Sequence, residues 1–219
     1  MAVLLLRLTG PLQSWGTTSR FDERDTGLEP SKSGVLGLLC AALGRDRMEP
    51  VDDLCALKMG VRVDREGIPL RDYQTATGAV KAKGEVKLDE TVVSPRHYLS
   101  DAAFLVGLEG DASLLESLQS ALKAPVWPLA LGRKACVPSS PIWLSDGLRT
   151  DSLRDVLITY PRIATPQHMD RDQPLRLVIE DAREGSVRFD QPTAPFSERS
   201  FGPRFIKTEV CNVPLAAHA

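Results

Sequence analysis

Hydrophobic residues follow two distinct periods in the first part of the chain. Residues 3–8 form an almost unbroken apolar run, which is typical of a central strand buried on both faces. Between Val35 and Leu43 the apolar residues recur at helical spacing. Ser33 is the predicted N-cap of this helix, and Gly44 is its predicted left-handed C-cap. The pattern therefore predicts a buried strand followed by a helix with one apolar face.

The same periods give the order of elements along the rest of the chain. Residues 60–64 alternate as a strand does, residues 102–108 form a second buried run, and a leucine stripe predicts a helix over 112–123, capped by Asp111. A further strand follows, and three later runs are also predicted to be strands: 156–160, 175–180 and 187–189. This order is the split β-α-β arrangement of ferredoxin-like and RNA-recognition-motif domains, so we predict an α+β fold.

Residues 65–95 interrupt this order with few large apolar residues and many alternating charges. Such a stretch cannot bury a core of its own, so it is predicted to be a projecting hairpin or arm. Arg71 and Tyr73 lie at its start, and Arg96 and Tyr98 lie at its end. An aromatic ring beside a guanidinium suits single-stranded RNA. The alternative is a solvated hairpin whose tyrosines fold back on the domain.

Charge and composition limit the kind of site that the chain can carry. The net charge is −2, which excludes bulk electrostatic attraction and requires any nucleic-acid site to be local. The four cysteines form no Cys-x-x-Cys pair, which is typical of reduced thiols in a cytosolic protein. The three histidines have no ligand partner at standard spacing, so no metal site is expected. Arg7 interrupts the first apolar run, which is too short for a membrane span.

Three other positions allow either a ligand contact or a purely structural role. Lys32 and Ser33 lie at the positive end of the predicted helix and suit a phosphate, although the same pattern fits an ordinary core helix. Trp15 could stack on a base or fill the core beside the helix. Arg133 and Lys134 form a basic turn that could contact phosphate or simply be solvated.

Five motifs in this order resemble the CasD family of CRISPR-associated proteins, subtype I-E, of the RAMP superfamily. They are Gly-Pro-Leu-Gln-Ser-Trp-Gly at 10–16, Pro-Ser-Lys-Ser-Gly-Val-Leu-Gly-Leu-Leu at 30–39, Arg-Asp-Tyr-Gln-Thr at 71–75, Arg-His-Tyr-Leu-Ser-Asp-Ala-Ala-Phe at 96–104 and Leu-Gly-Arg-Lys at 131–134. The resemblance covers roughly the first 140 residues, and the later part is compatible with it.

The resemblance implies a non-catalytic, cytoplasmic subunit of the Cascade complex that serves antiviral defence without a cofactor. Such a subunit binds the 5′ handle of the guide RNA (crRNA), caps the backbone of CasC subunits beside the large subunit CasA, and meets target DNA only indirectly. It implies a ferredoxin-like body at 1–138, a β-hairpin thumb at about 71–96 and a β-rich C-terminal extension at 139–219. The RNA-binding residues expected here are Gln13, Trp15, Lys32, Ser33, Arg71, Tyr73, Arg96, Tyr98, Arg133 and Lys134.

Two other functions remain open from the sequence. A related protein of subtype I-C cuts the guide precursor, and such metal-independent cleavage needs a base near a 2′-hydroxyl and a cation for the developing charge. His97 and Tyr98, with Lys81 or Lys83, are the candidates for those roles. The other possibility is a general RNA-binding module outside CRISPR systems, because this fold supports many functions.

Overall fold

The computed structural model describes residues 1–17, 23–78, 84, 90–164, 173–182 and 184–213. The elements in these residues are β1 (Ala2–Thr9), β2 (Leu12–Gln13), α1 (Lys32–Leu43), α2 (Asp52–Cys55), β3 (Lys58–Arg65), β4 (Ile68–Thr77), β5 (Thr91–Ser100), β6 (Ala103–Gly110), α3 (Ala112–Lys123), β7 (Trp143–Arg149), α4 (Leu153–Thr159), β8 (Leu175–Glu180), β9 (Ser186–Pro192) and β10 (Phe201–Cys211).

A seven-stranded antiparallel sheet forms the body, with strand order β7-β1-β6-β3-β8-β10-β9. Its first four strands, with α1 after β1 and α3 after β6, have the predicted ferredoxin-like arrangement, and the α+β class is confirmed. The sheet continues across the boundary predicted at residue 138. β7 pairs with β1 at one edge, whereas β8, β10 and β9 extend the sheet beyond β3 at the other.

Both faces of the central strands are buried, as the almost unbroken apolar run of β1 predicted. Leu4, Leu6 and Leu8 pack in the cluster beneath α1 and α3, and Val3 and Leu5 pack in a second cluster with α4. Alternate residues of a strand point to opposite faces, so a strand covered on both sides needs apolar residues at every position.

The prediction of a strand over 156–160 is wrong, because these residues form the C-terminal part of helix α4 and its C-cap. Ser152 caps the helix, and Leu153, Val156 and Leu157 face the core at helical spacing. The helix lies close to the sheet because Gly60 and Gly107 oppose each other on β3 and β6. A Cβ atom at Gly60 or Gly107 would lie 2.6 Å from a leucine side chain of α4.

A buried arginine holds the end of α4. Arg62 on β3 donates to the carbonyl oxygens of Leu157 at 2.5 Å and Pro161 at 2.9 Å, and it pairs with Asp64 at 2.6 Å. Asp64 also accepts the backbone N–H of Ile163 at 2.6 Å. These bonds satisfy carbonyl groups at the helix terminus that have no intrahelical partner.

β4 and β5 form the hairpin predicted from residues 65–95. They pair over ten positions, from Ile68 opposite Ser100 to Thr77 opposite Thr91. Together with β2 they make a separate three-stranded sheet of order β2-β5-β4. Lys81 and Lys83 lie outside the described residues. The hairpin is thus distinct from the body sheet, as the thumb prediction requires.

Candidate nucleic-acid interface

One face of the hairpin presents polar and aromatic side chains to solvent. In the β4–β5 register Arg71 lies opposite His97, and Tyr73 lies opposite Pro95, so these residues share a face. Tyr73 is 67% exposed, and Arg71 is exposed beside it. This face combines an accessible ring with a guanidinium, which is a combination that binds single-stranded nucleic acid.

The opposite face of the hairpin turns toward the body. Tyr98 is buried, and the guanidinium of Arg133 lies 4.7 Å from the centre of its ring. Tyr98 therefore follows the fold-back alternative, whereas Tyr73 does not. Arg96 is partly buried on this face, opposite Asp72, and its Nε atom has no hydrogen-bond partner among the described residues.

Arg133 joins three segments at the root of the hairpin. Its guanidinium donates to the carbonyl oxygens of His97 at 3.1 Å, Arg24 at 2.7 Å and Asp25 at 3.1 Å. The backbone of Arg24 also pairs with β5, because its N–H donates to Pro95 and its carbonyl accepts from His97. In the structure Arg133 is thus a clamp between hairpin and loop, while the neighbouring Lys134 is exposed.

Gln13 and Trp15 are buried, which does not match their expected RNA-binding role. Trp15 is 1% exposed, and its indole N–H donates to Gln13 Oε1 at 3.1 Å. Gln13 Nε2 donates to the carbonyl oxygens of Leu8 and Ala102. Trp15 packs against α1 at Gly34, where a Cβ atom would lie 2.8 Å from its ring. The core-filling alternative is the correct one for Trp15.

The N-cap of α1 is Ser31, so the prediction of Ser33 is wrong by two residues. The Ser31 hydroxyl accepts the N–H of Gly34, and the helix begins at Lys32. The difference arises because the carboxylate of Asp190 on β9 accepts the Lys32 N–H at 2.9 Å and satisfies the first turn. The predicted C-cap is confirmed, since Gly44 has a φ of 74°.

The phosphate-binding site predicted at the start of this helix is already occupied by carboxylates of the same chain. Lys32 is buried, and its ammonium lies 3.0 Å from Glu180 and donates to the Cys55 carbonyl. Arg204 pairs with Asp190 at 2.5 Å. Burial raises the pKa of the Asp190 carboxyl, but hydrogen bonding to Arg204 and its positive charge outweigh this effect and leave the pKa below its ordinary value. Lys32 therefore ties α1 to the C-terminal strands.

A surface cleft of about 340 Å³ lies beside the start of α1. Its lining residues are Ser14, Trp15, Gly16, Thr17, Arg24, Asp25, Ser31, Ser33, Gly34, Gly132, Arg133, Phe196 and Phe201. Only a glycine at position 132 allows its segment to approach the segment at Ser14 so closely. The φ of Gly132 is 88°, and a Cβ atom there would lie 1.7 Å from the Ser14 carbonyl oxygen. Segments distant in sequence thus meet at one opening.

The structure divides the ten residues expected to bind RNA into three groups. Arg71, Tyr73 and Lys134 are exposed; Ser33, Arg96 and Arg133 are partly buried at the hairpin root or the cleft; Gln13, Trp15, Lys32 and Tyr98 are buried. The cleft brings Ser33 and Arg133 together, whereas Arg71 and Tyr73 lie on the hairpin.

The candidate catalytic residues do not form a pair. His97 and Tyr98 are consecutive on β5 and therefore point to opposite faces of the strand. His97 Nε2 lies 3.0 Å from Glu23 at the surface, while Tyr98 is beneath Arg133. Among the described residues no group of three or more His, Cys, Asp or Glu side chains could hold a metal ion.

Sequence reasoning did not identify Arg24, Asp25, Phe196 and Phe201, which line the cleft, as site residues. Arg24 belongs to a polar loop, and its position became visible only through its pairing with β5. The mixture of aromatic and basic residues over 201–207 was the one available signal for Phe201. In the described part of the chain, no helix has the length and hydrophobicity needed to cross a membrane.

Comparisons with known proteins cover nearly the whole chain. A family model described as CRISPR-associated protein (Cas_Cas5) matches residues 3–207. The chain is 34% identical over 168 residues to the CRISPR system Cascade subunit CasD of Escherichia coli strain K12, covering 70% of this chain and 75% of that protein.

Two solved structures share its fold. A crystal structure of a Cas protein has a TM-score of 0.80 at 50% identity and covers 98% of both chains. A chain of a CRISPR RNA-guided surveillance complex has a TM-score of 0.81 at 35% identity, covering 97% of this chain and 91% of that one. The similarity therefore includes the C-terminal strands.

Proposed function

Because the chain belongs to the Cas5 family of CRISPR-associated proteins, we propose that it is a non-catalytic subunit of a Cascade complex that holds the 5′ handle of crRNA. Its family places it in CRISPR-based defence. Assembly into Cascade is supported by the CasD relative and by the structural neighbour within an RNA-guided surveillance complex.

The observation that carries the proposal is the separate hairpin sheet, with Arg71 and Tyr73 exposed on one face. The cleft with Arg24 lies where the hairpin joins the body. A strand of RNA held between them would meet a stacking ring and cations in a chain whose net charge is only −2. Sequence reading of the target would then depend on guide pairing rather than on this subunit.

The proposed protein partners are the CasC backbone and the large subunit CasA. An exposed apolar surface on the antiparallel pair β9–β10 supports the proposal that a protein partner binds there. Ile206 points into the cluster beneath α1 and α3, so Phe205 points to the other face, where Val187 lies opposite it. Phe205, Val187 and Phe189 are all exposed. Apolar residues exposed together are typical of protein interaction sites.

The test is to purify the tagged chain with its operon and sequence the 5′ ends of the RNA that remains bound. We expect one common 5′ segment. Arg71→Ala and Arg96→Ala should lower the retained RNA, whereas Arg154→Ala on α4 is the matched control, since Arg154 is an exposed arginine away from the hairpin. Complexes without a common 5′ segment, or equal losses in all three variants, would contradict the proposal.

Deleting residues 78–87 tests the role of the hairpin tip. We expect the body to fold and assembly with CasC to fail, because the seven strands described for the body sheet are formed by other parts of the chain. An unfolded product would mean that the hairpin is part of the core instead of a thumb.

A nuclease role makes the opposite prediction at His97. His97→Ala should leave precursor processing by the operon intact, since His97 is paired with Glu23 and faces away from Tyr98. Loss of cleavage by the purified chain, with RNA binding retained, would favour the endoribonuclease instead.

A further inference from the structure

We infer that the cleft beside α1 receives a single unpaired nucleobase of the bound RNA, stacked against Phe196 and Phe201. This inference rests on the proposed function and adds the site of one base to it. The cleft measures about 340 Å³, which is room for one base and part of its sugar. Sequence-specific recognition of RNA commonly uses bases splayed out of the strand onto aromatic side chains.

The two phenylalanines are held in position by the loop that joins β9 and β10. The ends of this loop are tied together by the bond from the Thr193 N–H to the Ser200 carbonyl at 3.1 Å. Arg47, just after α1, donates to the Phe196 carbonyl at 2.9 Å. Phe201 is 39% exposed, so its ring is accessible without a rearrangement of the core. A pre-positioned ring loses little entropy when a base stacks on it.

Polar groups on the opposite wall suit the edge of a base. Ser33 offers a hydroxyl and a backbone N–H, and neither has a partner in the described ranges. The Asp25 carboxylate also lines the cleft and accepts the Thr17 N–H at 3.4 Å. A carboxylate accepts hydrogen bonds from the amino groups of adenine, cytosine and guanine. It repels phosphate, so this wall favours a base over the backbone of the strand.

Arg24 supplies the charge for a flanking phosphate at the mouth of the cleft. Its backbone is fixed by Pro95, His97 and Arg133. Its side chain is exposed, and no described residue pairs with its guanidinium. The arrangement separates the two tasks, because Arg24 holds the backbone outside while Phe196, Phe201 and Asp25 hold the base inside.

Chemical probing of the RNA in the complex purified from the operon tests the inference. Base-specific reagents that attack the Watson–Crick edge are applied to wild type, Phe201→Ala and Val210→Ala complexes. Val210 is the matched control, because it is an apolar residue on the same strand, is 70% exposed and does not line the cleft. One base of the 5′ segment should be protected in wild type and in Val210→Ala. Its reactivity should rise by about 5- to 150-fold in Phe201→Ala, as expected for the loss of one base–aromatic stack.

The possible outcomes separate this inference from the proposed function. If the wild-type complex contains no common 5′ segment, the proposed function itself fails. If the segment is present but no base depends on Phe201, the cleft inference is overturned and the subunit role stands. A uniform change over all bases would indicate a general backbone contact and would also overturn it. Asp25→Asn should expose the same base and no other, and exposure of a different base would contradict the arrangement.

Discussion

Two glycines of α1 give a matched test of how closely this helix packs. A Cβ atom at Gly34 would lie 2.8 Å and 3.1 Å from ring atoms of Trp15, whereas at Gly37 the nearest atom would be 3.9 Å away, on Phe196. Alanine gains about 1 kcal/mol over glycine inside a helix at either position. Overpacking a buried site costs about 1–3 kcal/mol. Gly37→Ala should therefore raise the free energy of unfolding by up to about 1 kcal/mol.

Gly34→Ala should lower the free energy of unfolding by as much as about 2 kcal/mol, because the clash with Trp15 outweighs the gain in helix propensity. Urea denaturation of both variants measures the difference, with equal slopes as the check that both unfold in the same way. Trp15 fluorescence should also change in Gly34→Ala, since the ring has to move. If the two variants were equally stable, the packing of Trp15 against α1 would be incorrect.

Three further substitutions probe the contacts described above. Arg133→Lys should speed hydrogen exchange at the His97 amide by about tenfold or more, because two of the three hydrogen bonds from Arg133 to backbone carbonyls are lost. Unchanged exchange would contradict the role of Arg133 as a clamp between hairpin and loop. Arg62→Met should cost about 3–5 kcal/mol of unfolding free energy and be partly rescued by adding Asp64→Asn, since the single change leaves a buried charge unpaired; a double variant no better than the single would refute this. Asp190 has a lowered pKa, so its pairing stabilises the fold above about pH 4 and is lost at lower pH; Asp190→Asn should flatten that part of the unfolding-versus-pH curve, and an unchanged slope would count against it.

The central strands of the body could be predicted because they are buried on both faces and therefore consist mostly of consecutive apolar residues. β1 and β6 are apolar runs interrupted only by Arg7 and near the end of β6 by Glu109, and Asp111 caps α3 as its position before the leucine stripe indicated. α4 was missed because its seven residues are too few to separate a helical period from a strand. Its close packing on the sheet depends on Gly60 and Gly107, which lie far away in the sequence.

The start of α1 shows the same limit at the candidate site. Ser31 and Ser33 are equally good caps by residue type, and the choice is made by Asp190, which lies 158 residues away from Lys32. Lys32 and Trp15 are residue types that often bind ligands, but their contacts with Glu180 and Gly34 hold them in the interior. The cleft likewise combines residues 14–34 with Phe196 and Phe201, so no local pattern could reveal it.

The position of β8 in the sheet affects how the chain folds during its synthesis. β3 ends at Arg65 and its neighbour β8 begins at Leu175, so the outer edge of β3 stays open while the intervening residues are made. At the usual speed of a ribosome, about 5–20 residues per second, this delay lasts on the order of 5–20 seconds. An open strand edge can pair with another chain. A nascent chain of this protein therefore carries a transient aggregation risk, which ends only when its last third emerges.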